Sequence, residues 1–378
     1  MKAVYNFFYV FVLAILLHSC SSKEYTDAIP NNSTALIAVN ATDISSENSP
    51  FASIMAPFID KEAKQLKGID LTENIYLFAA ADGNLGVCAP VTDGNSLEDF
   101  ASRLETIGLL KKPKEQDGNK FFIFKDQWVL GYNDKCLLIM GPVTGSDAQA
   151  TLMRRMSKLF DKDEEESIKS SILWQNLEEL KGNIRMVAQA SALPEQMALI
   201  LTLGAPKGTD ASDIILKANM EYKDGTLSLI GNTRSYNTNV EQSLERSTST
   251  YRPLTIDWRK AMNDSTLVGI FMNVKGDDIM PIIQQNKTLN SMLMGTASYE
   301  KIKKCDGDIA IRLSPDNEKD GDSDKYKVDV NTTLPKDKKS SDRMVVAINI
   351  KALTEPIAES VKPFLGNINT IIYNLKVE

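Results

Sequence analysis

Histidine is nearly missing from this sequence. Its one imidazole, His18, closes an N-terminal apolar stretch with the marks of a cleaved export signal, so the processed chain would contain none. Ser-His-Asp and Cys-His catalysis both need a base titrating near neutrality. Zinc, haem and the two-His-one-carboxylate iron centre commonly draw on the same ring as a ligand. Those His-dependent chemistries are excluded on this reading. Basic blocks are lacking as well. A formal net charge of −7 with no Lys/Arg run gives no electrostatic footprint for DNA or RNA, so no nucleic-acid partner is expected. Aromatic residues make up only 7% of the chain, leaving Trp128 and Trp258 as candidate platforms for sugar stacking; both sit in patterns that suit core packing.

A spanning hydrophobic run is the next absence. The longest apolar stretch, Val4–Leu17, follows a single positive residue, Lys2, and polar sequence begins directly after Cys20. That is short of the roughly 20 residues a membrane-crossing helix needs. A charged start, a short apolar core and a small residue before the cut read instead as an export signal over residues 1–19. Leu17, Ser19 and Cys20 stand where the bacterial lipobox has Leu at −3, a small residue at −1 and the acylated cysteine at +1, with His18 departing from the usual small residue at −2. Cys20 is therefore the expected lipidation site, its thiol carrying diacylglycerol with palmitate-like chains. Each buried CH₂ contributes about 0.8 kcal/mol, so several chains hold a protein firmly. Residues 20–28 are expected to be a lipidated polar tether, and the absence of Asp after Cys20 favours the outer membrane, on either its periplasmic or its cell-surface face.

Cysteines are few, and none forms a C-x-x-C. Beyond Cys20 there are Cys88, Cys136 and Cys305, all beside apolar strand-like runs. Buried free thiols or a single Cys88–Cys136 bridge are both open. Glycine-rich phosphate loops are missing too; Gly204-Ala205-Pro206-Lys207-Gly208-Thr209 has the residues in the wrong spacing. Ser298-Tyr299-Glu300-Lys301 fits S-x-x-K but lacks the companion K-T-G, and Gly321-Asp322-Ser323 would need a histidine to serve as an esterase block. No spacing selects a carboxylate pair for sugar hydrolysis. No catalytic residue and no cofactor is expected. The one metal candidate is the acidic stretch Asp316, Glu318, Asp320, Asp322 and Asp324, with Gly321 at the sixth position as in a calcium loop. Lys319 inside the cage, Lys327 at the twelfth position and strand-like flanks argue for a solvated hairpin tip instead.

What is present is alternation. Thr34–Asn40, Asn183–Ala190, Thr266–Asn273 and Met344–Lys351 are apolar strand patterns, each followed by a short polar step and an amphipathic stretch. Hairpins turn at Asp82-Gly83 and Asp224-Gly225, and parallel neighbours cannot be joined by two residues, which argues against a doubly wound sheet. The expected fold class is α+β: repeated strand–helix–hairpin units forming mainly antiparallel sheets with helices packed on one face. The middles of the four starts, Ile37, Val187, Ile270 and Val346, are expected in the core. Asp161–Gly182 reads as a joint, giving an N-terminal domain over 29–180 and a C-terminal domain over 181–378.

The lipobox cysteine, the short tether and the run Tyr25-Thr26-Asp27-Ala28-Ile29-Pro30-Asn31-Asn32-Ser33-Thr34-Ala35-Leu36-Ile37-Ala38-Val39-Asn40 resemble the start of a Bacteroidetes lipoprotein family, domain of unknown function 4836. The likeness lies in the Ile-Pro-x-x-Ser step into an apolar strand and in overall length. It implies a cell-envelope address and brings no activity and no site residues. The expected role is therefore structural, scaffolding or protein-interaction work at the membrane, without catalysis. The alternatives are a glycan- or peptide-binding surface lipoprotein and, more distantly, a His-free hydrolase with paired carboxylates. An envelope protein or a glycan is the expected partner besides the membrane itself. Calcium is expected to stabilise the protein by no more than about 0.4 kcal/mol when its concentration equals a weak site's Kd; a melting shift of many degrees at millimolar calcium would contradict the hairpin-tip reading of 316–324.

Overall fold

Left-handed turn residues decide how these strands meet. The computed structural model describes residues 24–40, 68–70, 72–193, 198, 201–286, 290–291, 293–315, 326–334, 336, 341–352 and 368–375. Asp224 and Gly225 take φ values of 50° and 76° and join β9 (Ile214–Lys223) to β10 (Thr226–Ser235), the two-residue connection expected there. Asp82-Gly83 belongs to a longer turn. Ala80 N–H donates to the Asn84 carbonyl at 2.8 Å, so Ala81 joins the loop between β2 (Asn74–Ala79) and β3 (Leu85–Pro90). Asp117-Gly118, with φ of 51° and 78°, makes a further hairpin between β4 (Lys114–Gln116) and β5 (Asn119–Phe124) that the sequence pattern did not mark.

The remaining strands are β1 (Ala35–Asn40), β6 (Trp128–Tyr132), β7 (Cys136–Gly141), β8 (Ile184–Gln189), β11 (Val268–Lys275), β12 (Asp306–Pro315), β13 (Tyr326–Asn331), β14 (Met344–Asn349) and β15 (Thr370–Leu375). Among the described residues all fifteen form one sheet, in the order β13-β12-β11-β14-β15-β10-β9-β8-β1-β2-β3-β7-β6-β5-β4. Every neighbouring pair is antiparallel except β10 and β15. The mixed α and β content and mainly antiparallel pairing agree with the expected class. The division expected at 180/181 falls inside a continuous sheet, because β1 pairs with β8 from Ala35↔Ala188 to Val39↔Ile184.

All four apolar starts are strands, and Val187, Ile270 and Val346 are buried. Ile37 is a correction. It is only partly buried, because alternate residues face opposite sides of a strand and its neighbours Leu36 and Ala38, at 0% exposure, take the closed side. Helices on one face are the second correction. Leu36, Tyr76, Phe121, Leu138 and Val187 belong to one apolar cluster, and the alternating Val39, Ile75, Phe122, Ile139 and Met186 to another. The sheet therefore has apolar layers on both sides. Helices α1 (Gly94–Thr106), α6 (Gly276–Gln285) and α7 (Ala297–Lys303) pack on the second cluster through Leu97, Leu104, Ile279, Ile283 and Ile302. Helices α2 (Ser146–Phe160) and α3 (Ile172–Glu178) cover the opposite face through Leu152, Met156, Leu173 and Leu177. Between them in the sequence order, α4 (Thr238–Ser249) packs Val240 and Leu244 against Ala190 and Ile214, and α5 (Trp258–Ala261) packs Trp258 against Phe271, Val345 and Ala347. An amphipathic helix needs one apolar partner surface, and this sheet offers two.

The described chain is folded from its first residues, within the stretch expected to be a tether. Residues 24–28 are not a free polar leash: Tyr25–Ala28 is a short 3-10 turn with Thr26, Asp27 and Ala28 buried. The Tyr25 hydroxyl donates to the Asn74 carbonyl at 3.0 Å, and burial, with Tyr76 and Cys88 nearby, pushes its pKa up. Lys169 pairs with Glu24 at 2.5 Å and Asp27 at 3.3 Å. Burial pulls this ammonium's pKa down, but the two carboxylates outweigh it and hold the pKa above its ordinary value. All or most of the amphipathic stretches expected after the first, second and fourth starts, together with Cys20 and the acidic loop 316–324, lie outside the described residues. Phe271→Ala, which empties a fully buried ring site, is expected to cost about 3–5 kcal/mol, and Ile37→Ala less than about 2 kcal/mol; urea denaturation of both variants checks the ranking.

Candidate functional site

One face of the sheet changes character within a single row of residues. On β11, Phe271 packs in the apolar layer with Trp258, while Asn273, next on the same side, does not. On β12 the corresponding switch runs from Ala310 to Asp308, and Asp308 lies directly opposite Asn273. A third segment extends the row: Leu254 and Ile256 are in the apolar layer, and Arg252 bridges to Asn273. Where the layer ends, Arg252, Asn273, Asp306, Asp308 and the passing segment with Leu334 and Lys336 line a cleft of about 330 Å³. That is near the small end of the usual range for small-molecule sites.

Hydrogen bonds fix the walls. Arg252 N–H donates to the Asn273 carbonyl at 2.8 Å, and its Nη2 donates to the Val274 carbonyl at 3.0 Å and to Asp306 Oδ1 at 2.9 Å. Asp308 Oδ1 accepts from Thr255 N–H at 3.0 Å, and its Oδ2 from the Thr255 hydroxyl. Asn273 Nδ2 donates to the Pro253 carbonyl at 2.9 Å. The β11–β12 frame is closed by Gly276, whose N–H donates to the Cys305 carbonyl at 2.7 Å. A Cβ on Gly276 would stand 2.1 Å from the Lys303 carbonyl oxygen, so the approach of α6 to the end of α7 requires glycine there. Two atoms of the lining residues are left over. Arg252 Nε and Asn273 Oδ1 are buried and have no hydrogen-bond partner, although Asn273 is only 7% exposed. Buried polar groups are normally paired, so such atoms need an explanation.

The motifs weighed from the sequence do not assemble here. Ser298 and Lys301 are on α7, and Lys301 Nζ donates to the Val330 carbonyl at 3.0 Å; that bond ties α7 to β13 rather than activating a hydroxyl. Gly204 and Gly208 are left-handed turn residues, and the Thr209 hydroxyl donates to Pro206. Trp258 is core, with Phe271 against it and the Arg259 guanidinium 4.4 Å above its ring; Trp128 is partly buried in the sheet core. Cys88, Cys136 and Cys305 are buried free thiols, with Cys88 and Cys136 Sγ atoms 3.5 Å apart. Burial pushes both the Cys88 and Cys305 thiols up, away from the thiolate that reactivity requires. Among the described residues no group of His, Cys, Asp or Glu is placed to hold a metal ion, and no helix is long and apolar enough to cross a membrane. The cleft residues themselves went unmarked in the sequence reading. Their signal was a polar side chain at an inward position of an apolar strand, Asn273 in VGIFMNV.

The chain belongs to the family described as domain of unknown function (DUF4836), whose model matches residues 58–315. That match covers β2 to β12 and the walls of the cleft from Arg252 to Asp308, a different part of the chain from the first 45 residues that carry the sequence resemblance. No curated protein matches the chain. Among solved structures, crystal form I of TP0453 is similar at 10% identity and a TM-score of 0.35, covering 62% of this chain and 89% of that one. Crystal form IV of TP0453 gives 8% identity and a TM-score of 0.34, covering 54% and 78%. Similarity at that level transfers neither fold nor function.

Losing a charged acceptor that serves two donors is costlier than losing an exposed ion pair. Asp308→Ala is expected to lower stability by about 1–3 kcal/mol, whereas Asp306→Ala, at a pair open to solvent, is expected to cost less than about 1 kcal/mol. Equal losses in urea denaturation would show that the Thr255 contacts do not hold the 252–256 segment in place.

Proposed function

We propose that this is a Bacteroidetes outer-membrane lipoprotein, anchored by acyl chains on Cys20, whose folded part has a structural or protein-interaction role without catalysis. The observation that carries this reading is how soon the fold begins. Tyr25 is docked between β2 and β3 five residues after Cys20, and five residues span at most about 18 Å when fully extended. A soluble export product has no need of so short a leash, whereas a lipid-anchored one is held close to the bilayer by it. Lys169, paired with Glu24 and Asp27, secures the point where the chain enters the fold.

The non-catalytic part rests on chemistry. The processed chain would have no histidine, and the free thiols are buried and pushed towards the protonated form. The four apolar starts, read as repeated units, support a scaffolding role. Each start is followed by a strand antiparallel to it: β1 by β2, β8 by β9, β11 by β12 and β14 by β15. Units of that kind extend a surface by stacking side by side.

Cys20→Ala in the full-length chain is the test. Expressed in a Bacteroidetes host, the unsubstituted protein should sediment with outer membranes and take up a fatty-acid label. The variant should lose the label and leave the membrane fraction. Unchanged labelling and sedimentation of the variant would sink the anchored reading.

A further inference from the structure

We propose that Cys88 and Cys136 form a disulfide in the exported protein, tying β3 to β7. The proposal rests on the export reading, because the oxidising compartments in which such bonds persist lie outside the cytoplasm. Strand register supplies the geometry. Cys88 lies opposite Leu138 and Cys136 opposite Pro90, so the two cysteines are diagonal neighbours on one face of the sheet. Their Sγ atoms stand 3.5 Å apart, and both side chains belong to the same apolar layer. A disulfide holds its sulfurs at about 2.05 Å, so an approach of about 1.5 Å makes the bond. Cys305 has no such neighbour. It lies just before β12, on the other side of the β1–β8 joint, and its Sγ faces the Val274 and Gly307 carbonyls at 4.0 and 3.6 Å.

The place of the pair in the sheet gives the bond its use. Every other strand pair on this side, from β1–β2 to β4–β5, joins strands consecutive in the chain. The β3–β7 pair does not. Its cysteines are 48 residues apart, with α1 and β4 to β6 between them, and it alone attaches the β7-β6-β5-β4 block to the rest of the sheet. A cross-link restricts the unfolded chain most where it closes a long loop, and non-local strand pairs are the slow ones to form.

The thiols themselves are enclosed, Cys88 at 0% exposure and Cys136 at 2%. The oxidant therefore meets them in the folding chain, before β3 and β7 close. One cysteine, as its thiolate, attacks the disulfide of an envelope thiol oxidant and displaces one of the oxidant's sulfurs. The other cysteine attacks the resulting mixed disulfide, and the oxidant leaves as its dithiol. Two electrons pass to the oxidant, and the two protons lost by the cysteines are balanced on its two sulfurs. The folded protein gives up one weak donor, the Cys88 S–H to the Tyr25 carbonyl at 3.2 Å. The Tyr25 hydroxyl and the Lys169 pairs still hold the N-terminal turn.

The test is alkylation of the full-length protein recovered from outer membranes and unfolded in urea without reductant, followed by peptide mass spectrometry. Cys305 should be alkylated at once. Cys88 and Cys136 should react only after reduction, and before it their peptides should be found linked. In a second arm the reduced chain is refolded from urea with reduced and oxidised glutathione, where the same bond should form. The bonded form should resist urea better than the reduced form, with a folding equilibrium larger by about thirtyfold to a thousandfold, the range expected for a loop of this length. Free Cys88 and Cys136 in protein that fractionates with outer membranes overturn the proposal. So does a refolded chain that leaves the pair reduced or bonds Cys305 instead. Retention of the chain in the cytoplasm would count against export alone, and the refolding arm then decides the pair.

Discussion

The pairing of β1 with β8 holds the molecule together. Six strands, β2 to β7, lie on one side of that pair, and seven, β9 to β15, on the other. The register is set by burial on both faces. Leu36 opposes Val187, both fully buried in one layer, while Val39 opposes Ile184 in the other. A slip of one residue would send each set to the wrong side. Backbone bonds clamp both ends of the pair: Asn40 N–H to the Asn183 carbonyl at 2.9 Å and Gln189 N–H to the Thr34 carbonyl at 2.8 Å. Each contributes only about 0.5–1.5 kcal/mol net, so the apolar layers rather than the ladder decide the register.

The same two-sidedness explains what the sequence made legible and what it hid. The strands were readable because runs such as LIAV and MVVA are apolar at successive positions, as an interior strand demands. Amphipathic helices were readable too, since α1 and α2 both show a helical apolar stripe. Which side of the sheet each would take was not, because a stripe shows only that a helix has an apolar face. Leu97 of α1 and Leu152 of α2 end in different layers. Helices α5 and α7 were missed for a simpler reason: over so few residues a helical period cannot be told from chance. The Asp117-Gly118 hairpin was missed because β4, Lys114–Gln116, has no apolar residue to mark it as a strand.

The cleft was hidden by its ordinariness. Asn273 is one polar letter in an apolar strand, and Asp306-Gly307-Asp308 resembles any polar step before a strand. Arg252 precedes Pro253 in a segment without period. What makes them a site is alignment across strands: the registers place Arg252, Asn273 and Asp308 in one row on one face. That alignment depends on Gly276, which lets α6 close against α7 and fixes the end of β11 against the start of β12. Pairwise register is not written in any one strand, so only the fold could reveal the row.

Sheet order also separates the N-terminal turn from the cleft. The N-terminal turn sits on β3, where the Cys88 thiol donates to the Tyr25 carbonyl at 3.2 Å, while the cleft is built on β11 and β12. Eight neighbour-to-neighbour steps lie between β3 and β11 in the sheet, and at about 4.8 Å per step they run to about 38 Å along its surface. The leash from Cys20 to Tyr25 is at most about 18 Å. On the anchored reading, then, the fold rather than the tether sets how far the cleft lies from the lipid attachment. A single continuous sheet suits that arrangement, because strand pairing that runs unbroken across the β1–β8 joint sets where the cleft lies relative to Tyr25.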